Sequence, residues 1–184
     1  LIESARSADL LIASQADPLK PSDSHVDIDN YLFESGRPVL MIPFVMRQPK
    51  PIKRVLVAWN GSREAARAAF DALPILKAAA EVEIFSVDPV DNALQSAAVA
   101  GADIAAALSR HGVKVTLATA QSVDKSASAV IENRLSDSSI DLLVMGAYTH
   151  SRLWQLIFGG TTRTPPTSSA SRPATGPLSR IPSG

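Results

Sequence analysis

Two glycine turns carry the chemistry that this sequence offers. The run Asp141-Leu142-Leu143-Val144-Met145 reads as an apolar strand that empties into a turn at Gly146. Gly159 and Gly160, followed by Thr161 and Thr162, stand where a helix begins. Glycine has no Cβ, so the main-chain N–H groups of such turns stay open to an approaching ligand. Bare N–H groups at the carboxyl end of a strand, beside the start of a helix, are where phosphates bind in open α/β sheets.

The elements that must position these turns alternate along the chain. Pro49-Lys50-Pro51 is a stiff linker, because proline fixes φ and discourages helix. After it, residues 54–59 form an apolar strand. Residues 63–80 carry Ala66, Phe70, Leu73 and Leu76 at helical spacing, with Pro74 placed to kink or interrupt the helix. Residues 81–87 alternate as a second strand. Residues 92–110 are alanine-rich and predict a helix, which His111-Gly112 closes. A third strand is expected over 113–118, a helix capped by Asp124 over 124–135, and a fourth strand over 140–145. This order predicts an α/β fold: an open, mainly parallel sheet with helices on both faces.

The glycine spacing resembles that of the universal stress protein family, whose nucleotide-binding members carry Gly, two residues, Gly, nine residues, then Gly and Ser or Thr. Gly146 and Gly159 keep that spacing, and Thr149 replaces the middle glycine. The run Val55-Leu56-Val57-Ala58-Trp59-Asn60-Gly61-Ser62 resembles the family's opening strand, and Val87-Asp88 its second. The resemblance implies an adenine-nucleotide α-hydrolase-like fold and a site for ATP or another adenine nucleotide. Carried onto this chain, its contacts fall to Ala58, Asn60, Val87, Met145, Gly146, Gly159, Gly160 and Thr161. Adenine would lie near Val87 and Met145, and phosphate near the glycine pair and the hydroxyl that follows it. The implied role is regulatory rather than enzymatic, with a ligand-free structural or dimerisation domain as the alternative.

An internal repeat extends the resemblance. Ser7-Ala8-Asp9-Leu10-Leu11-Ile12 matches Ser139-Ile140-Asp141-Leu142-Leu143-Val144, and Gly36-Arg37-Pro38-Val39-Leu40-Met41-Ile42-Pro43 reads as a buried strand after the first copy. The expected organisation is the closing part of a first domain (1–48), a linker (49–52), a second domain (53–163) and a disordered tail (164–184) with the second domain's fifth strand missing. The tail is rich in Pro, Ser, Thr and Gly and cannot bury enough surface to offset its ordering entropy. The resemblance also implies a partner: another such domain, within the chain or as a homodimer.

Two departures weaken the nucleotide site. Thr149 is β-branched, so a positive φ there costs on the order of 1 kcal/mol or more. Pro165-Pro166 cuts short any helix opening at Gly160 or Thr161. The first copy has Ser14-Gln15-Ala16 in place of the glycine turn, so no site is expected there. His25, His111 and His150 are scattered without metal-ligand spacing, and Asp23, Asp27 and Asp29 lack the glycine and closing glutamate of a calcium loop. Trp59 and Trp154 read as packing residues. No Walker loop and no nucleophile–base pair marks an enzyme.

Composition narrows the classes further. Of the 184 residues, 46% are hydrophobic and 20% charged, an ordinary globular balance. Lys+Arg and Asp+Glu are 18 each, which leaves no basic excess to hold nucleic acid or an anionic membrane. With no cysteine, disulfides, thiol catalysis and cysteine-ligated metals are excluded. No apolar run approaches the ~20 residues that span a bilayer, and no signal peptide is visible, so a cytoplasmic location is expected.

Overall fold

Val55, Leu56 and Val57 have no exposed surface, and this inaccessible strand organises the larger of two sheets. The computed structural model describes residues 2–15, 34–46, 48–89 and 100–147. Its elements run α1 (Ile2–Ala5), β1 (Leu11–Ser14), β2 (Val39–Ile42), β3 (Arg54–Ala58), α2 (Arg63–Asp71), α3 (Leu73–Ala78), β4 (Glu81–Val87), α4 (Ala102–Arg110), β5 (Val115–Ala120), α5 (Ala127–Asp137) and β6 (Leu142–Val144). Strands β1 and β2 form a two-stranded sheet, and the other four lie in the order β5-β4-β3-β6. Every pairing among the described residues is parallel. This is the expected α/β architecture.

Side chains alternate across β3, so each face buries its own cluster. Val55 and Val57 join Ala69 of α2, Leu76 of α3, and Ile104 and Leu108 of α4. Leu56 and Ala58 pack with Phe85 and with Ile131 of α5. Helices α2, α3 and α4 thus lie on one face, and α5 on the other. Strand order reverses between β3 and β6, which makes their carboxyl ends the switch point of the sheet.

Several boundaries differ from the sequence expectation, each for a local reason. The helix expected over 63–80 is two helices, because Ala72 ends α2 and Pro74 sits in the first turn of α3, where its missing N–H costs nothing. The helix expected from residue 92 has its N-cap at Gly101, whose φ of 86° breaks any helix running through it; residues 92–99 lie outside the described residues. The third strand is shifted to Val115–Ala120, since Val113 is buried in the turn that follows α4. Asp124 is not the cap of α5. It sits in a turn at φ 60°, and Ser126 caps the helix by accepting the N–H of Ala129. Strand β2 is only half-buried along its length, not buried as expected. The fifth strand, the tail and the acidic cluster near His25 fall outside the described residues.

Asp141 fixes the sheet at its opposite, amino end. Its Oδ2 accepts the main-chain N–H groups of both Lys53 and Arg54 at 2.9 Å, while its own N–H donates to the Arg54 carbonyl. The two accepted bonds hold the Asp141 carboxyl below the usual carboxylate range. A carboxyl held low in the fold stabilises at neutral pH, and that stability fades as the pH falls through its folded value. Asp141→Ala is therefore expected to lower stability near neutral pH by about 1 kcal/mol, a modest figure because solvent screens this exposed group. Thermal melts in acid, below the carboxylate range, should show variant and parent converging. Equal melts at neutral pH would refute the clamp.

Candidate functional site

The carboxyl end of the sheet holds five of the residues singled out in the sequence. Asn60 lies just beyond the end of β3, Val87 ends β4, and Met145 and Gly146 follow β6. Ala58 is buried, and Val87 and Met145 pack half-buried against the cluster that contains it. All three belong to the apolar cluster on the α5 face of the sheet. Gly159, Gly160 and Thr161, with Thr149 and His150, lie outside the described residues.

Local chemistry explains how the chain leaves β3 at this place. Asn60 Oδ1 accepts the N–H of Ser62 at 3.1 Å, closing a tight turn across Gly61, which has φ 75°. Ser62 is then the N-cap of α2, its hydroxyl accepting the N–H of Ala65 at 3.1 Å. Asn60 is exposed, so this turn places its side chain at the mouth of the crevice while using its carbonyl oxygen for folding.

Gly146 sits against the same helix start. A Cβ built on it would stand 2.7 Å from the Ala65 nitrogen, 2.7 Å from the Glu64 carbonyl carbon and 2.8 Å from the Glu64 Cβ. Gly146 does not have positive φ; the positive-φ glycines described are Gly36, Gly61, Gly101 and Gly112. The glycine pattern in the sequence predicts an open turn here that a ligand can approach. In the fold Gly146 lets the end of β6 pass the first turn of α2 at backbone contact.

Polar groups surround the crevice without forming a catalytic set. Asp88, just past β4, has φ 49° and accepts the Ser122 N–H at 2.7 Å. Hydrogen bonds from the side chain and backbone of Ser122 hold its carboxyl below the usual range. The Ser86 hydroxyl is buried on the α2 and α4 face of β4, without a hydrogen-bond partner among the described residues. Among the described residues no group of three His, Asp or Glu side chains gathers to hold a metal, and no helix is long and apolar enough to cross a membrane.

A feature that sequence reasoning missed lies at the amino ends of the strands. A groove of about 220 Å³ is lined by Arg54, Val55, Glu81, Glu83, Arg134, Ser138 and Ile140. Arg134 bridges Glu83 through two bonds, Nε–Oε1 at 2.8 Å and Nη2–Oε2 at 2.6 Å, and its guanidinium carbon stands 5.7 Å from the centre of the Phe85 ring. The pair joins residues 51 apart, so no local pattern announces it. Its charges satisfy each other, and the groove lies at the end of the sheet away from the glycine turn. The pair ties α5 to β4.

Comparison with solved structures finds the same architecture. A universal stress protein from Archaeoglobus fulgidus superposes with a TM-score of 0.60 at 18% identity, covering 86% of this chain and 57% of that one. This chain therefore matches little more than half of that protein's length. A universal stress protein family structure from Burkholderia pseudomallei matches at TM-score 0.46 and 21% identity, over 59% of this chain and 92% of that chain. One from Lactobacillus plantarum matches at TM-score 0.38 and 15% identity, over 56% and 85% of the two chains. No protein-family model matches the sequence, and no curated protein does. The resemblance is thus one of fold: a doubly wound parallel sheet of the kind seen in universal stress proteins.

The Gly146 contact gives a direct test. Gly146→Ala forces a methyl group into the backbone of Glu64 and Ala65, and overpacking of this kind costs roughly 1–3 kcal/mol. Gly146→Val should cost more. Denaturant melts that show neither variant destabilised would place the glycine elsewhere.

Proposed function

We propose that residues 53–163 form a universal stress protein-like regulatory domain with a degenerate adenine-nucleotide site at the β3–β6 switch point. The observation that carries this reading is the convergence of Asn60, Met145 and Gly146 at the carboxyl ends of adjacent parallel strands. Open α/β sheets bind ligands in that crevice. The apolar surface of Val87 and Met145 suits the flat face of a base, and the Asn60 side chain at the mouth suits its polar edge or the ribose. In this reading the phosphate end is the weak part, because Thr149 and Pro165-Pro166 replace what a glycine and a full helix would supply. The protein would act in the cytoplasm by binding rather than by catalysis.

A second reading, a ligand-free structural or dimerisation domain, is favoured by a specific observation. The turn at Asn60 and the missing side chain of Gly146 are both accounted for by the start of α2. On either reading the β1–β2 pair belongs to a second unit of the same kind, supported by the repeat that relates Leu10–Ile12 to Leu142–Val144. The partner is then another such domain, within the chain or in a second copy.

Titration of the full chain with a fluorescent ATP analogue separates the two readings. The first expects saturable binding that unlabelled ATP displaces, tightened about fivefold by Thr149→Gly, the equivalent of ~1 kcal/mol of relieved strain. Absence of saturable binding to both proteins would leave the ligand-free reading.

A further inference from the structure

We infer that the outer edge of β5 is a pairing surface for a second copy of this chain, joined antiparallel about a two-fold axis. The inference is independent of the nucleotide site and concerns the far side of the sheet. Among the described residues β5 pairs with β4 alone. The Val82 N–H donates to the Lys114 carbonyl and the Asp88 N–H to the Ala120 carbonyl. In a parallel ladder those bonds turn the main-chain groups of the even-numbered residues toward β4. The N–H and C=O groups of Val115, Leu117 and Thr119 therefore point away from the sheet.

Natural sheet edges are protected by charge, proline or bulges. Strand β5 has none of these: Val-Thr-Leu-Ala-Thr-Ala is uncharged, rich in β-formers and free of proline and glycine. Its Leu117 is 41% exposed although it lies on the face that α4 covers. Such a strand is a template for another strand, and the charges that flank it choose which one.

Exposed Arg110 and Lys114 flank the amino end of β5. Exposed Asp88 and Asp124 flank the carboxyl end, where Asp88 is tied to Ser122 and Lys125 offsets one charge. Nearby Glu81 is matched to Arg54 at 3.7 Å, so the amino end stays positive. An antiparallel second copy sets the positive end of one strand against the negative end of the other, and a parallel copy sets like against like. Self-complementarity of this kind is what a two-fold interface requires.

The pairing that uses the outward groups best sets Leu117 opposite Leu117 of the partner subunit, with Val115 opposite Thr119 on either side. Three such hydrogen-bonded pairs supply about six main-chain bonds. The two leucines then cover each other on one face, and the two four-stranded sheets become one.

Analytical ultracentrifugation across a concentration series is the test, supported by cross-linking. The parent chain is expected to be a reversible dimer. Thr119→Lys puts a charge on an exposed edge position and should weaken the dimer at least on the order of tenfold, with unchanged far-UV circular dichroism. The chain has no cysteine, so Leu117→Cys gives a single thiol at the two-fold axis, and Val123→Cys gives one just outside the pairing. A short bifunctional reagent should link the first and not the second. A parent chain that stays monomeric at every accessible concentration overturns the inference. So does a dimer that Thr119→Lys leaves intact or in which Leu117→Cys does not link. If Thr119→Lys fails to fold, the contrast between the two cysteine variants decides alone.

Discussion

Burial of β3 on both faces is the constraint on which the rest of the structure depends. A parallel strand has no hairpin partner and no solvated face, so each of its side chains must meet a helix or a neighbouring strand. Val55 and Val57 meet α2, α3 and α4, and Leu56 and Ala58 meet Phe85 and α5. Covering both faces forces the chain to send its crossovers to opposite sides. That requirement places β6 beside β3 rather than beyond β5, and so creates the switch point. The candidate site follows from how the core is covered.

The same packing decides what the glycine turn does first. The end of β6 has to pass the start of α2, because both leave the sheet from adjacent strands at the same end. Gly146 makes the passage at backbone contact, and the Asn60 turn with the Ser62 cap brings α2 into place from the other side. A ligand at this crevice would rest on a surface that folding had already assembled. This is how one glycine can answer to a binding pattern in the sequence and to a steric need in the structure. At the other end of the strands, Asp141 and the Glu83–Arg134 pair hold β3, β4, β6 and α5 together.

The sequence by itself determined the element types, their order and the parallel sheet, because these follow from local periodicity and from the alternation of strand and helix. Strand β4 matches the expected residues 81–87, and Pro74 marks the break between α2 and α3, since both effects act within a few residues. It also named Asn60, Val87, Met145 and Gly146, which stand at the carboxyl ends of β3, β4 and β6, through resemblance to a family rather than through any contact. Tertiary structure decided the rest. The start of α5 moved from Asp124 to Ser126 and β5 slid two residues toward the carboxyl end, because caps and registers are set by what each element pairs with. The steric role of Gly146, the bond from Arg134 to Glu83, and the outward turn of Val115, Leu117 and Thr119 all depend on segments distant in the chain. No local pattern encodes such contacts, because they exist only once the crossovers have brought those segments together.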